Sequence, residues 1–386
     1  MRDNKIDICK GIGIILMVLG HAGMPHSSII FRFHMALFFI LSGYIFDQKK
    51  VDNHNKLISY IWRRIKSLYF PFVLWNGLLV LMNNIFIRTG IYTDNPLFLG
   101  VPEIAGAAGN WYGIKQQISL NDMINTLKQI LFFQWEQQLG GATWFLRVLF
   151  GVSVLWAVIT FVANKFQYTP RTVQWVMHSL TAVGLLFLSN SYQERGINGL
   201  TMQFETVAAS YILYYFGYYF KLWRQQNSFN QEKYSKSPIV AIVLLCFVCL
   251  INCDKVCSLL GWDSNVNNYN YWPMYLTSSI SGFLCVFFLA DLFTMISNKA
   301  MNSICRFLSF TGRESLFILL LHFIAFKSIT ALQLVVFHQP LYRLASFPCF
   351  YNKGGWWILY TLAGVGIPLI ISRLITLLTI AVKKSD

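Results

Sequence analysis

IDICKGIGIILMVLGHAGM, residues 6–24, sets the reading of this chain. It is an apolar run of membrane-helix length, yet it carries Lys10 and, eleven residues later, His21. In a helix that offset is about 16 Å of rise. Lys10 then stands near one membrane face, with His21 deep in the span or in its far half. An ionisable side chain inside a membrane helix is costly and marks a functional-site candidate. The next run, SIIFRFHMALFFILSGYIF at 28–46, carries a second histidine, His34. Only a few residues join the two runs, so an antiparallel hairpin is expected, with both histidines at similar depth and one cavity between them. Either histidine alone reads equally well as a neutral ring hydrogen-bonded in a bundle interior. The pair points to proton chemistry, because imidazole accepts and returns a proton near neutrality.

Around this hairpin the chain of 386 residues is 55% hydrophobic, 17% aromatic and only 12% charged. A soluble protein averages about 25% charged residues. The apolar residues come in blocks, which predicts an all-α, polytopic membrane helix bundle. Ten spans are expected, near residues 6–24, 28–46, 68–88, 144–163, 173–189, 205–222, 238–252, 273–296, 314–337 and 356–380. The whole of 1–386 reads as a single integral-membrane domain.

The net charge of +15 raises the thought of a nucleic-acid partner, but its distribution argues against one. With both termini in the cytoplasm, the inside segments hold 20 of the 31 Lys and Arg, and the outside segments about seven. That is the positive-inside bias of a membrane protein. The first apolar run is followed by His21 and Pro25 rather than a small-residue cleavage site, so it reads as a retained anchor. Four of the eight cysteines, Cys246, Cys249, Cys253 and Cys257, form one helical stripe. They read as small buried hydrophobes rather than a metal site, which would want paired CxxC ligands. No metal cofactor is expected.

The longest stretch outside the spans, 89–143, is expected on the outer side. Its second half, SLNDMINTLKQILFF, has Ser119 and Asp122 at capping-box spacing ahead of an amphipathic run, predicting a helix on or dipping into the membrane surface. Asn110, Trp111, Tyr112, Gln134, Trp135, Gln137 and Gln138 give the segment amides and aromatic faces suited to sugars, and equally suited to an interfacial belt. On the inner side, QKKVDNHNKLISYIWRRIKSLYFPF places Lys49, Lys50 and Lys56 ahead of Arg63, Arg64 and Lys66. Residues 63 and 66 share a helix face, and two cations so spaced can grip a phosphate, with Lys10 beside them. Topological charge bias explains the same cluster. In FLSFTGRESLFILLLHFIAF, Glu314 stands at the inner end of the ninth span and Ser315 is placed for local hydrogen bonding. His322 lies eight residues beyond Glu314, and a role in shaping the cavity is expected of it. GxSxG, HExxH and GxxxxGK[ST] motifs are absent, which removes support from serine-triad hydrolysis, zinc proteolysis and ATP-driven transport.

IDICKGIGIILMVLGH, with Asp7, Lys10 and His21, resembles the opening pattern of the acyltransferase-3 family of multi-pass membrane O-acyltransferases. FHMALFFILSGYIF, with His34, Ser42 and Gly43, resembles that family's FHMPLFFFLSG signature. RRIKSLYFPF, TWFLRVLF with Trp144 and Arg147, and TGRESLFILLLH resemble its later elements. Lys10 and Lys66 stand where arginine is common in the family, which keeps the charge but loses the bidentate fork. The hydrolase-like extension of some members is absent, so a stand-alone membrane domain of the bacterial cell membrane is expected. The resemblance implies an acyl-CoA donor, most often acetyl-CoA, held from the cytoplasm by Lys10, Arg63, Arg64 and Lys66. It implies a carbohydrate hydroxyl as acceptor, on a lipid-linked or exported glycan. His21 is then the general base, and His34, Arg32 or Arg147 the group facing the developing oxyanion. An acyl-histidine relay stays open. A proton-coupled transporter or lipid-linked glycan flippase is the main rival, though internal repeats are missing and mid-span acids are few, Glu205 and Asp291 being the nearest.

Overall fold

The structure, a computed structural model, describes residues 4–100, 102, 104, 107, 113–166, 170–194, 204–226, 236–261 and 272–385. Among these every regular element is helical. The opening hairpin is made by α1 (Asn4–His21), the short α2 (Ser27–Phe31) and α3 (His34–Tyr44). The chain reverses through Gly23 and His26, both at positive φ. Residues Arg32 and Phe33 break the second arm, so His34 opens α3 rather than sitting inside one straight span.

The next part is α4 (His54–Arg64), a wide π-helical turn at Ile65–Tyr69, α5 (Phe70–Leu81) and α6 (Asn83–Arg88). Asn53 caps α4 by accepting from the Lys56 N–H at 3.0 Å. Pro71 lies in the first turn of α5, directly after the π turn. The helix α7 (Leu120–Leu131) starts with a reciprocal capping box between Ser119 and Asp122. Its start is tied to α6, where Asn84 accepts from the Ile118 N–H and donates to the Ile118 carbonyl. Its end reaches Tyr69, whose hydroxyl donates to the Leu131 carbonyl at 3.0 Å. The helix therefore runs back along α5 rather than away from the bundle.

The remaining helices are long: α8 (Trp144–Ala163), α9 (Pro170–Glu194), α10 (Phe204–Gln226), α11 (Lys236–Leu259), α12 (Trp272–Met295), α13 (Lys299–Arg313), α14 (Ser315–Val336) and α15 (Trp356–Ser385). The bundle is held by a few extensive pairings: α1 on α13, α3 on α10, α11 on α12, and α14 on α15. Two depend on glycine. A Cβ at Gly11 would collide with the Leu308 carbonyl of α13, and one at Gly43 with the Tyr214 carbonyl of α10. Such close backbone approach is how helices bind where lipid offers no hydrophobic drive. Phe46, Trp156, Tyr214 and Tyr218 fill the space beyond α3 as one aromatic layer.

Among the described residues, six segments are long and apolar enough to cross a membrane: Ser27–Tyr44, Gln138–Ala163, Lys236–Leu259, Pro273–Met295, Ser315–Val336 and Trp356–Ala381. The other four expected spans also fall on helices, but each falls short for a visible reason. Lys5, Asp7 and Lys10 crowd the 18 residues of α1. The 68–88 segment is divided among the π turn, α5 and α6. The apolar part of α9 covers only Thr172–Leu188. Tyrosines and Lys221 dilute the apolar character of α10. Exposed Leu74, Leu244, Leu245, Leu362 and Leu378 give the bundle an outer surface suited to hydrocarbon.

Candidate active site

Three histidines from three helices meet where α1 ends. Nδ1 of His21 lies 3.0 Å from Nε2 of His322 on α14. The two rings are nearly parallel, 11° apart, with centroids 5.1 Å apart. His34 stands edge-on to His21, centroids 6.4 Å apart. His34 and His322 are buried, while His21 keeps partial exposure. The α-helical backbone fixes the two buried rings: His34 Nδ1 is 2.9 Å from the Ile30 carbonyl, and His322 Nδ1 is 3.0 Å from both the Ile318 and Leu319 carbonyls. Phe31 and Phe323 pack on the His21 ring at 5.9 and 4.9 Å. The hairpin expectation for His21 and His34 thus matches the geometry, and His322 joins them more intimately than a wall residue would.

A cavity of about 220 Å³ lies between α1, α3, α8 and α14. Lys10, Ser42, Arg64, Ser67 and Ser315 give it polar groups, and Ile14, Met35, Phe38, Phe145 and Leu319 line its apolar wall. Met35 is the neighbour of His34, and the Leu319 carbonyl touches the His322 ring. Lys10 and Arg64 make part of the cavity cationic, and its wall comes within one helical turn of His34 and His322. Ser42 spends its hydroxyl hydrogen on the Phe38 carbonyl, at 2.7 Å. The Arg64 Nε donates to the Tyr60 hydroxyl at 3.0 Å.

Not every expected residue gathers here. Arg63 and Lys66 are exposed, Arg63 reaching Ser59 and Lys66 lying 5.4 Å over the Trp62 ring. Asp7 is buried where α1 crosses α13, its carbonyl against Gly312. Glu314 accepts from the Ser372 hydroxyl of α15 at 2.5 Å. Trp144 opens α8, half-buried and edge-on to Phe145. Arg32 is paired with Asp254 at 2.9 Å, and Arg147 with Glu136 at 2.9 Å while also donating to the Phe133 carbonyl. Both arginines are thus engaged elsewhere. Burial pushes the Glu136 carboxyl up to about 7, against the opposing pull of Arg147.

Of the 89–143 residues singled out for sugar contact, Gln134 and Trp135 are exposed, and Gln137 and Gln138 are buried. Asn110, Trp111 and Tyr112 lie outside the described residues. Asp291 is buried and paired with Lys5 and Arg224, and the Glu205 side chain lies outside the described residues. Among the described residues no group of three or more His, Cys, Asp or Glu is arranged to hold a metal.

The segment between α14 and α15 was not singled out in the sequence, and it closes the histidine end. Cys349 Sγ lies 3.5 Å from the His21 carbonyl, Asn352 donates to the Gly23 carbonyl, and Phe347 packs on Phe323 at 4.6 Å. Lys327 holds the segment, donating to the Leu344 and Ser346 carbonyls at 2.9 and 2.7 Å. A lysine inside the apolar α14 was the available signal.

Residues 3–373 match the acyltransferase-3 family model, described as an acyltransferase domain. The chain belongs to the acyltransferase-3 family. With its apolar helices it is a multi-pass membrane acyltransferase. No curated protein and no solved structure matches it.

Proposed function

We propose that this acyltransferase moves an acyl group, acetyl foremost, from acyl-CoA to a hydroxyl of a cell-surface or lipid-linked glycan, with His21 as general base. The observation that carries the reading is the cavity: cationic at Lys10 and Arg64, apolar beyond, with Met35 and Leu319, the immediate neighbours of His34 and His322, on its wall. The positive-inside bias supports a cytoplasmic Lys10 end, where acyl-CoA is made available. Arg63 and Lys66 meet phosphates outside the cavity mouth, Lys10 and Arg64 hold the charge nearest to it, and the pantetheine arm follows the apolar wall. The rise of about 16 Å from Lys10 to His21 suits such an arm.

A sugar hydroxyl is a weak nucleophile at neutral pH, so a base must take its proton as it attacks the thioester. His21 is the partly exposed member of the cluster and the fitting choice. The oxyanion that develops on the thioester carbonyl needs a donor. Neutral His34 offers none, because its Nδ1 hydrogen is directed to the Ile30 carbonyl. It donates through Nε2 only as an imidazolium. The acceptor approaches from the opposite end, where the 337–355 segment borders His21.

Acetyl-CoA binding by the detergent-purified protein tests the reading. A rise in melting temperature with acetyl-CoA is expected, lost in the Lys10→Ala/Arg64→Ala variant. Folded wild-type protein with no response overturns the donor assignment. Transfer of labelled acetyl to a glycan acceptor without any ion gradient separates the enzyme from a transporter.

A further inference from the structure

Of the three clustered histidines, two have one ring nitrogen satisfied by a nearby backbone carbonyl. His34 donates to the carbonyl four residues back and is otherwise edge-on to its neighbours. His322 does the same with two carbonyls of α14, yet its second nitrogen is aimed at His21. We propose that His322 is a positioning residue that fixes the tautomer of His21 and thereby makes its Nε2 the base; this rests on the assignment of His21 above.

Carbonyl oxygens only accept hydrogen bonds, so His322 Nδ1 carries the ring hydrogen. In the neutral ring Nε2 then holds a lone pair. That lone pair faces His21 Nδ1 at 3.0 Å, so His21 Nδ1 must supply the N–H. The free lone pair of His21 is left on Nε2. Two backbone carbonyls of α14 thus set, through one intervening ring, which nitrogen of His21 accepts a proton. Phe323 packs on both imidazoles, at 4.9 Å from His21 and 4.0 Å from His322, and holds their orientation.

In the transfer step the acceptor hydroxyl gives its proton to His21 Nε2 while its oxygen bonds to the thioester carbonyl carbon. The C–S bond then breaks, and the departing thiolate of CoA takes the proton back from Nε2. Throughout, His21 Nδ1–H stays on the His322 lone pair, which stabilises the transient imidazolium. His322 changes no protonation state and touches neither substrate. Carboxylates and carbonyls that orient a catalytic or metal-bound histidine work in the same manner.

The test compares His322→Leu, which removes the acceptor, with His322→Gln, whose amide oxygen can take the Nε2 position. In His322→Leu, kcat is expected to fall by about 100-fold or more, with the KM for acetyl-CoA and the acetyl-CoA thermal shift unchanged within about twofold. His322→Gln should recover about tenfold of that loss. Adding His322→Leu to His21→Ala should cost nothing further, because residues acting as a unit are not additive. Equal losses in Leu and Gln, a fall in donor affinity instead of kcat, or an additive double variant would overturn the proposal. Nitrogen-15 NMR of histidine-labelled protein in lipid reads the tautomer with no reliance on activity. His21 is expected protonated at Nδ1 in the wild type and at Nε2 in His322→Leu; the same tautomer in both sinks the idea. If His21→Ala keeps its transfer while the tautomer switch is seen, the base assignment alone has failed.

Discussion

Lys327 Nζ donates to the Ser346 carbonyl at 2.7 Å, so a lysine buried in α14 anchors the segment that covers the far side of His21. The Leu344 carbonyl is held by the same nitrogen. Lys327→Met would leave two buried carbonyls without a donor, at about 1–3 kcal/mol each. The expected outcome is faster maleimide labelling of Cys349 in protein whose other seven cysteines are replaced. Unchanged labelling in a stable variant would mean that the segment is held by packing alone.

His21→Ala is expected to lower transfer by about 100- to 10,000-fold, the usual weight of a general base. Donor binding should persist, because the cavity lies toward Lys10. A variant that folds, binds acetyl-CoA and turns over at near wild-type rate removes His21 from the chemistry.

Arg64→Ala should weaken acetyl-CoA binding by about 10- to 100-fold, as expected for loss of a charged hydrogen-bonding group facing a phosphate or thioester. Arg63→Ala or Lys66→Ala, exposed to solvent and salt, should each cost less than about fivefold and lose even that at high ionic strength. Titration at low and high salt checks the order. A larger effect at Arg63 than at Arg64 would move the donor site out of the cavity.

Gly11→Leu drives a side chain into the Leu308 backbone and must separate α1 from α13. Overpacking of this kind costs about 1–3 kcal/mol or more. A lower melting temperature and loss of transfer are expected together, since α1 carries both Lys10 and His21. Retained activity at a wild-type melting temperature would show that the crossing has slack.

Glu136 ties pH to stability. Its carboxyl lies up near 7 because burial disfavours its charge, whereas in the unfolded chain it titrates near 4.5. A raised carboxyl binds a proton more readily when folded, so its contribution is full below about 4.5 and is lost as pH rises through about 7. Melting temperatures of wild type should therefore decline relative to Glu136→Gln across that window. Parallel curves would mean that Glu136 titrates normally.

Much of the site's frame was legible because it is local. The eleven-residue step from Lys10 to His21 and the short turn before His34 fix depth by helical rise alone. The contact of His21 with His322 was not legible: 301 residues separate them, and helical periodicity gives α14 a face but no neighbour. The same limit hid Asp254 and Glu136, which take Arg32 and Arg147 out of the expected oxyanion role. Of the ten expected spans, six meet the length and apolarity of a membrane crossing among the described residues; charge on α1 and the breaks within 68–88 keep those two short of it.

The wide turn at Ile65–Tyr69 bears on how relatives should be aligned. A π turn accommodates one residue more than an α turn without disturbing the helices on either side. Deleting a residue between 65 and 69 closes it into an ordinary turn, while α4 and α5 keep their facing. The distance from the basic cluster to Pro71 is therefore elastic. What keeps Arg64 in the cavity is its own helix and its bond to Tyr60, so the four-residue step from Tyr60 to Arg64 is the ruler by which the equivalent cation is found.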